Sequence, residues 1–164
     1  KLLEVAKFKV LDINLRPPYY DKETIEILLK NTDLLKLNHL ELEEISAWFF
    51  PQGTVQENLH QLSELFNIDT ICVTLGEEGA MLLHQQEFFQ SPGFEVEVVD
   101  TIGSGDSFLA SFISNFLQNV ALENALVEAC AVGAWVATHH GASPLISKEE
   151  IQLIMNKSLS TSHV

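Results

Sequence analysis

The chain has 164 residues, of which 46% are hydrophobic and 20% charged, as is typical of a globular protein with a buried core. Nine lysine and arginine residues stand against 23 aspartate and glutamate residues, which gives a formal net charge of −14. Because such a chain repels nucleic-acid phosphates and anionic membrane surfaces, we expect neither as a partner.

Both cysteines, Cys72 and Cys130, lie in apolar runs, which predicts buried free thiols rather than a zinc-binding pair. This cysteine usage fits a reducing compartment, and we predict a cytoplasmic location. No apolar run reaches membrane-spanning length, and residues 1–10 lack a signal-peptide core and a cleavage site. The sequence starts with lysine instead of methionine, so we expect a further segment before it.

The first half of the chain alternates predicted strands and helices. Residues 8–14 predict a buried strand, after which Pro17 and Pro18 exclude a helix. Residues 21–31 predict a short amphipathic helix with Asp21 as its N-cap. The pattern continues with a strand at 33–38, helices at 41–49 and 54–66, and a buried strand at 70–75.

The second half of the chain is mainly helical by its pattern. Residues 79–90 predict a hairpin that turns near Gln85 and Gln86, and the alternating residues 94–100 predict a strand with one wet face. Helices are predicted at 104–117, 122–138 and 148–155, with a loose tail at 158–164. The first of these helices carries three phenylalanines at helical spacing, which we assign to the core: Phe108, Phe112 and Phe116.

This order of elements predicts an α/β fold, in which helices cover a largely parallel sheet, organised as a single domain over residues 1–164. In such sheets, ligands bind beyond the carboxyl ends of the strands. Candidate functional residues are therefore expected in the loops that follow the strands.

One of these loops is rich in glycine and lies within Val98–Phe112, with the sequence VVDTIGSGDSFLASF. Gly103 and Gly105 let a ligand approach the backbone, and the unpaired N–H groups at the start of the next helix form an anion cradle. Asp106 lies where it could accept a proton from an alcohol while the cradle holds a migrating phosphoryl group. Ordinary caps and turns give the same local pattern, so a purely structural interpretation stays open.

Two common phosphate-binding loops are excluded by the same residues. The glycines are not followed by Gly-Lys-Ser/Thr, as a Walker A loop requires. Phe108 stands where the dinucleotide fingerprint has its third glycine.

The full string Asp100-Thr101-x-Gly103-Ser104-Gly105-Asp106 resembles the Asp-Thr-x-Gly-Ala-Gly-Asp signature of the PfkB (ribokinase-like) carbohydrate kinases, with Ser104 replacing the usual alanine. Three other stretches agree with that family in order: LKLNHLELEEI with Asn38-x-x-Glu41, VTLGEEGAML with Thr74-x-Gly76-x-x-Gly79, and the fructokinase-like DINLRPPYY.

The resemblance covers almost the whole chain but only about the second half of a family member. It implies a ribokinase-like, Rossmann-like three-layer fold that is incomplete. We therefore expect this chain to be a carboxy-terminal portion, without the β-clasp lid and the Gly-Gly sugar motif, and to be inactive by itself.

The resemblance implies catalytic roles in the glycine loop. Asp106 would contact the sugar hydroxyl and act as the catalytic base. Gly103, Ser104 and Gly105, together with the N–H of Asp106, would form the anion hole for the transferring phosphate. The dipole of the following helix favours the ionised form of that carboxylate.

The resemblance also implies sites for ATP and metal ions. The residues that would bind the nucleotide are Thr74, Gly76, Gly79 and Thr101. Asn38 and Glu41 would hold Mg²⁺ through water; without the family match, Glu41 would be interpreted as a solvated acid at a helix start. Asp100 and Ile102, with residues 138–144, resemble a site for a monovalent cation such as K⁺.

The expected partners are ATP and a small sugar, with fructose as the first choice because two of the stretches look fructokinase-like. The alternatives to fructose are ribose, 2-keto-3-deoxygluconate and nucleosides. A homodimer of the full-length protein is a separate expectation. Arg16 would lie near the sugar or a phosphate, although a surface arginine before two prolines is an equal alternative. His139 and His140 are interpreted as loop residues, because adjacent side chains seldom converge on one ion.

Two rival functions remain open. Gly105-Asp106-Ser107 also resembles the block of GDSL-type hydrolases, with Ser107 as the nucleophile, but no aspartate follows Asp106 to supply the Asp-x-x-His of that family. A non-catalytic chain that binds nucleotide weakly, or only folds, is the other alternative.

Overall fold

The computed structural model describes residues 2–141 and 144–161. The strands are β1 (Val10–Asp12), β2 (Leu34–Asn38), β3 (Thr70–Thr74), β4 (Ala80–His84) and β5 (Glu87–Ser91). The helices are α1 (Leu2–Val5), α2 (Lys22–Leu29), α3 (His39–Ala47), α4 (Val55–Phe66), α5 (Ser104–Leu117), α6 (Leu122–Ala137) and α7 (Lys148–Thr161), and a 3₁₀ turn spans Gly76–Glu78.

The strands form one sheet in the order β1-β2-β3-β4-β5. β1, β2 and β3 are parallel neighbours, because helices make the crossover connections between them. β4 and β5 are joined by only Gln85 and Gln86, whose φ angles of 47° and 70° suit a two-residue hairpin. The predicted α/β class, the largely parallel sheet and the position of the hairpin turn are confirmed.

The chain divides into two compact units, of which the first comprises residues 1–75 and 81–88. In this unit α2, α3 and α4 pack against one face of the sheet, where Leu29, Leu42, Leu59 and Leu62 are fully buried. The predicted N-cap is present, since Asp21 Oδ1 accepts a hydrogen bond of 2.8 Å from the N–H of Thr24.

The opposite face of the parallel strands carries a buried ion pair. Asp12 and Lys36 are register partners on β1 and β2, and Lys36 Nζ lies 3.1 Å from Asp12 Oδ1. Their side chains are only 15% and 6% exposed, respectively. Cys72 is the next residue across the sheet and is a buried thiol, as expected.

The second unit comprises residues 76–80 and 89–164, with α5, α6 and α7 as its helices. The helix predicted at Ser104–Leu117 has those bounds. Phe108 and Phe112 are buried, with ring planes 9° apart, and Phe116 packs beside Phe112. Phe108 and Phe112 are therefore core, as predicted, whereas Phe116 is half-buried.

Two predictions for this unit are wrong. Residues 94–100 are not a strand: the N–H groups of Val99 and Asp100 both donate to the carbonyl of Ala137, at the end of α6, rather than to a neighbouring strand. The tail predicted to be loose from Ser158 onwards is instead part of α7 as far as Thr161. The last three residues of that tail lie outside the described residues.

Within residues 2–141 and 144–161, we find no helix that combines the length and the apolar character needed to cross a bilayer. The prediction of a single domain over the whole chain stays a prediction.

Candidate active site

In the first unit, two of the candidate residues lie side by side at the carboxyl ends of neighbouring strands. Asn38 ends β2, Thr74 ends β3, and the two are register partners. Because β2 and β3 are parallel, this edge is where a ligand would approach the sheet. Each of the two residues is partly exposed there.

Asn38 and Glu41 form a reciprocal capping box at the start of α3. Asn38 Oδ1 accepts from the N–H of Glu41 at 3.0 Å, and Glu41 Oε2 accepts from the N–H of Asn38 at 2.8 Å. The other carboxylate oxygen, Oε1, accepts from the N–H of Leu15 at 3.0 Å. Glu41 is only 6% exposed, so the interpretation as a solvated surface acid is wrong.

Arg16 follows Leu15 in the loop between β1 and α2 and is exposed. Its Nη1 donates to the carbonyl of Leu15 at 3.2 Å, and its own carbonyl accepts from the N–H of Tyr19 at 2.8 Å. The backbone on both sides of this arginine is thus held, while the guanidinium stays at the surface.

The two glycines of the Thr74–Gly79 segment differ in their surroundings, and both belong to the second unit. Gly76 has a φ of +64°, and a Cβ built there would meet nothing within 4 Å. Gly79 has a φ of +93°, and a Cβ there would lie 2.2 Å from the carbonyl oxygen of Ser91. The backbone near Gly93 is equally close, since a Cβ on Gly93 would lie 1.8 Å from the carbonyl oxygen of Glu77. Gly79 therefore permits two backbone segments to cross, whereas Gly76 leaves open space.

The glycine loop enters α5 through Gly103, whose φ of +80° is in the left-handed region. The first bond of the helix runs from the N–H of Ser107 to the carbonyl of Gly103 at 2.9 Å, and no side chain caps this helix end. Asp106 lies in the first turn and is exposed. The first N–H groups of a helix have no acceptor within the helix. Here the N–H of Ser104 donates to the carbonyl of Thr101 at 3.2 Å, which leaves the N–H groups of Gly105 and Asp106 as the donors of the first turn that a ligand could use.

The side chain of Ser104 faces α6 rather than the mouth of the loop. Its Oγ donates to the carbonyl of Gly133 at 2.9 Å. A Cβ on Gly133 would lie 3.3 Å from the carbonyl oxygen of Ser104, so glycine lets the two helices approach closely here. Ser104, which replaces the usual alanine of the motif, therefore links the start of α5 to α6 by a hydrogen bond.

Asp100 organises the beginning of the loop. Its Oδ1 accepts from the N–H of Ile102 at 3.0 Å, and its Oδ2 lies 3.5 Å from the N–H of Gly141. The structure thus brings together the two segments expected to bind a monovalent cation. Ala142 and Ser143, which belong to that expected site, lie outside the described residues.

The two adjacent histidines have different surroundings. The ring of His139 stacks on that of Trp135 with centroids 3.9 Å apart, and its Nδ1 lies 2.8 Å from Thr138 Oγ1. His140 is exposed. Across the described ranges, no cluster of three or more His, Cys, Asp or Glu side chains is placed to hold a metal ion.

Three residues that position the candidate site were not found by sequence reasoning. Leu15 contributes only its N–H, for which a sequence pattern carries no signal. Gly93 follows Pro92, and a Pro-Gly pair is a turn signal that could have marked it. Gly133 lies in the helix predicted at 122–138, but the sequence carries no signal for its partner Ser104.

Comparison with known proteins gives a family match over most of the chain. The model for the pfkB family of carbohydrate kinases matches residues 1–149. A 2-dehydro-3-deoxygalactonokinase of Haloferax volcanii is 27% identical over 156 residues, which are 93% of this chain and 48% of that protein. Fructokinase-2 of Solanum lycopersicum is 29% identical over 164 residues, covering 89% of this chain and 48% of that protein.

Solved structures show the same fold. Ribokinase from Thermotoga maritima aligns with a TM-score of 0.78 at 25% identity, over 94% of this chain and 51% of its own. An E. coli protein assigned as a ribokinase II, in complex with ATP and Mg²⁺, gives 0.75 at 25% identity, over 89% and 47%. A fructokinase double mutant from Vibrio cholerae, with fructose, ADP and a potassium ion bound, gives 0.78 at 24% identity, over 94% and 52%. The chain therefore has a ribokinase-like fold and spans about half the length of the proteins it matches.

Proposed function

The chain belongs to the pfkB family of carbohydrate kinases, and from this premise we propose that the complete protein transfers a phosphoryl group from ATP to a sugar hydroxyl. The observation that carries the proposal is the exposed carboxylate of Asp106 in the first turn of an uncapped helix, directly after a glycine in the left-handed region. The proposed base and the proposed anion cradle would therefore lie next to each other on one backbone segment.

In the proposed reaction, Asp106 accepts the proton of the sugar hydroxyl as the hydroxyl oxygen attacks the γ-phosphorus of ATP, and the bond from that phosphorus to the β,γ-bridging oxygen breaks, which releases ADP. The N–H groups of Gly105 and Asp106 hold the charge on the transferring phosphoryl oxygens, and the helix dipole adds to their field. Gly103 and Ser104 set the entry of the backbone into the helix. Positioning and electrostatics dominate phosphoryl transfer, so these groups need no covalent chemistry of their own.

The residues proposed for Mg²⁺ fit that ion only through water. Asn38 and Glu41 offer the oxygen atoms that Mg²⁺ prefers, and Mg²⁺ readily keeps part of its water shell. However, both carboxylate oxygens of Glu41 already accept backbone N–H groups, which leaves lone pairs for water rather than an open carboxylate. When bound, the ion would neutralise charge on the ATP phosphates.

ATP itself would be bound by Thr74, Gly76, Gly79 and Thr101. Of the two glycines, Gly76 has the open space that a phosphate needs. Asp100 and Ile102 would hold K⁺ together with the 138–141 segment, a proposal supported by the potassium ion in the fructokinase complex.

The sugar is proposed to be fructose, with ribose, nucleosides and 2-keto-3-deoxy sugar acids as the alternatives. Arg16 is the only arginine of the chain. A guanidinium that reached the sugar would favour an acceptor with an anionic group, such as a 2-keto-3-deoxy sugar acid. A reducing cytoplasm suits the two buried thiols. A homodimer of the complete protein is a further proposal.

The test is turnover of the complete protein with ATP, Mg²⁺ and each of these sugars. Asp106→Asn should abolish sugar-dependent ADP release while the fold is retained, because the side chain is exposed. Glu97→Gln, at an exposed acid of the same unit, is the matched control and should leave turnover unchanged. Full turnover in Asp106→Asn would reject the base assignment.

The rival functions give different results in the same preparation. A hydrolase of the GDSL type would release an ester product that is lost in Ser107→Ala. A non-catalytic protein would consume ATP with none of the sugars.

A further inference from the structure

Glu41 makes more contacts than a helix cap requires. Its carboxylate accepts one N–H within its own capping box and a second from Leu15, which is 26 residues away in the chain. Leu15 lies three residues beyond the end of β1 and is buried. Without Glu41 its N–H would be a buried donor with no partner, which is costly.

The second capping box of the same unit shows that capping by itself needs no such link. At the start of α4, Glu57 accepts from the N–H of Thr54 at 2.7 Å and from its hydroxyl at 3.0 Å. Glu57 is exposed, whereas Glu41 is buried. The two boxes share the same local geometry, so the burial of Glu41 and its bond to Leu15 are a separate feature.

The link reaches the edge of the sheet where a ligand is expected. Asn38, at the end of β2, and Leu15, just after β1, are held by the two oxygens of a single carboxylate. The next residue after Leu15 is the exposed Arg16, whose side chain donates back to the Leu15 carbonyl. The position of this guanidinium therefore depends on where Glu41 holds the backbone.

We propose that Glu41 is a positioning residue, which fixes the Leu15–Arg16 segment beside the end of β2 so that this segment can contact the sugar. Its influence on sugar binding rests on the proposed kinase function. The link itself does not depend on that function, on Mg²⁺ or on nucleotide.

The first test measures amide hydrogen exchange in the complete protein without Mg²⁺ and nucleotide. Glu41→Gln leaves one acceptor oxygen where two N–H groups need one each, so exchange at Leu15 or Asn38 should rise by about tenfold or more. Glu57→Gln is the matched control and should leave both amides unchanged. Unchanged exchange at both amides in Glu41→Gln would overturn the proposal.

Glu41→Asp gives an independent measurement if the glutamine variant does not fold. The shorter side chain keeps the negative charge but loses the reach to hold both N–H groups, so exchange at Leu15 should again rise. Full protection of Leu15 in this variant would count against the link.

The second test separates positioning from metal binding. In Glu41→Gln, the KM for the best of the tested sugars should rise by about tenfold and should stay raised when Mg²⁺ and ATP are both saturating, because the lost bond to the N–H of Leu15 involves no ion. A sugar KM that returns to the value of the unsubstituted protein at saturating Mg²⁺ would overturn the positioning role and leave Glu41 with a metal role alone. If the protein phosphorylates no sugar, the proposed function fails, and the exchange experiment still decides whether the link exists.

Discussion

Alanine in place of Gly79 should destabilise the protein far more than alanine in place of Gly76, although both glycines have a positive φ. At Gly76 the new methyl enters open space, so the cost is only that of a left-handed backbone for an alanine, about 1–2 kcal/mol. At Gly79 the same cost is joined by a Cβ placed 2.2 Å from the carbonyl oxygen of Ser91 and 2.5 Å from the N of Gly93.

Both of the atoms near Gly79 are backbone atoms, so no flexible side chain can move away. Overpacking of this kind adds about 1–3 kcal/mol, for a total of about 2–5 kcal/mol. Urea denaturation of the complete protein measures the difference, with the two variants compared at equal m-values. If Gly79→Ala were no less stable than Gly76→Ala, the close crossing of the two backbone segments would be refuted.

Three further predictions concern other sites. Lys36→Met should cost about 3–5 kcal/mol in urea denaturation because it leaves the Asp12 carboxylate buried without its partner, and adding Asp12→Leu should recover most of that loss. The backbone N–H and the hydroxyl of Thr24 lower the pKa of Asp21, so its capping contribution is present above the ordinary aspartate pKa and is lost as the pH falls through the lowered value; Asp21→Asn should remove this pH dependence from the protection of the Thr24 amide. Burial raises the pKa of the Cys130 thiol to about 11, so iodoacetamide at pH 8 should leave it unmodified in the folded protein and alkylate it only after unfolding.

The elements that could be predicted from sequence are those whose signal is local. The bounds of α5 follow from a glycine before it and from phenylalanines at helical spacing. The Gln85-Gln86 turn follows from two polar residues that stand between the apolar residues 80–83 and 88–89. Each of these patterns depends only on neighbours in the chain.

The predictions that were wrong depended on partners elsewhere in the chain. Residues 94–100 alternate like a strand, but a strand also needs a ladder partner, and the N–H groups of Val99 and Asp100 bond to the end of α6 instead. Without the family match, Glu41 would be interpreted as a solvated acid, whereas it is buried and accepts from the distant N–H of Leu15. Neither partner leaves a signature near the residue concerned.

The candidate site shows the same division. The motif predicted that Asp106 would lie in the first turn of a helix after the glycine loop, and it does so. It could not predict that the Ser104 hydroxyl would face Gly133, because that contact joins residues 29 positions apart.

The path of the chain between the two compact units has a practical consequence. It passes from one unit to the other after Leu75, after Ala80 and after Phe88. Dividing the chain at one position therefore cannot leave both units intact. Division after Leu75 removes residues 81–88 from the first unit, and division after Phe88 separates residues 76–80 from the rest of the second. Producing either unit independently would require new loops that rejoin its separated pieces.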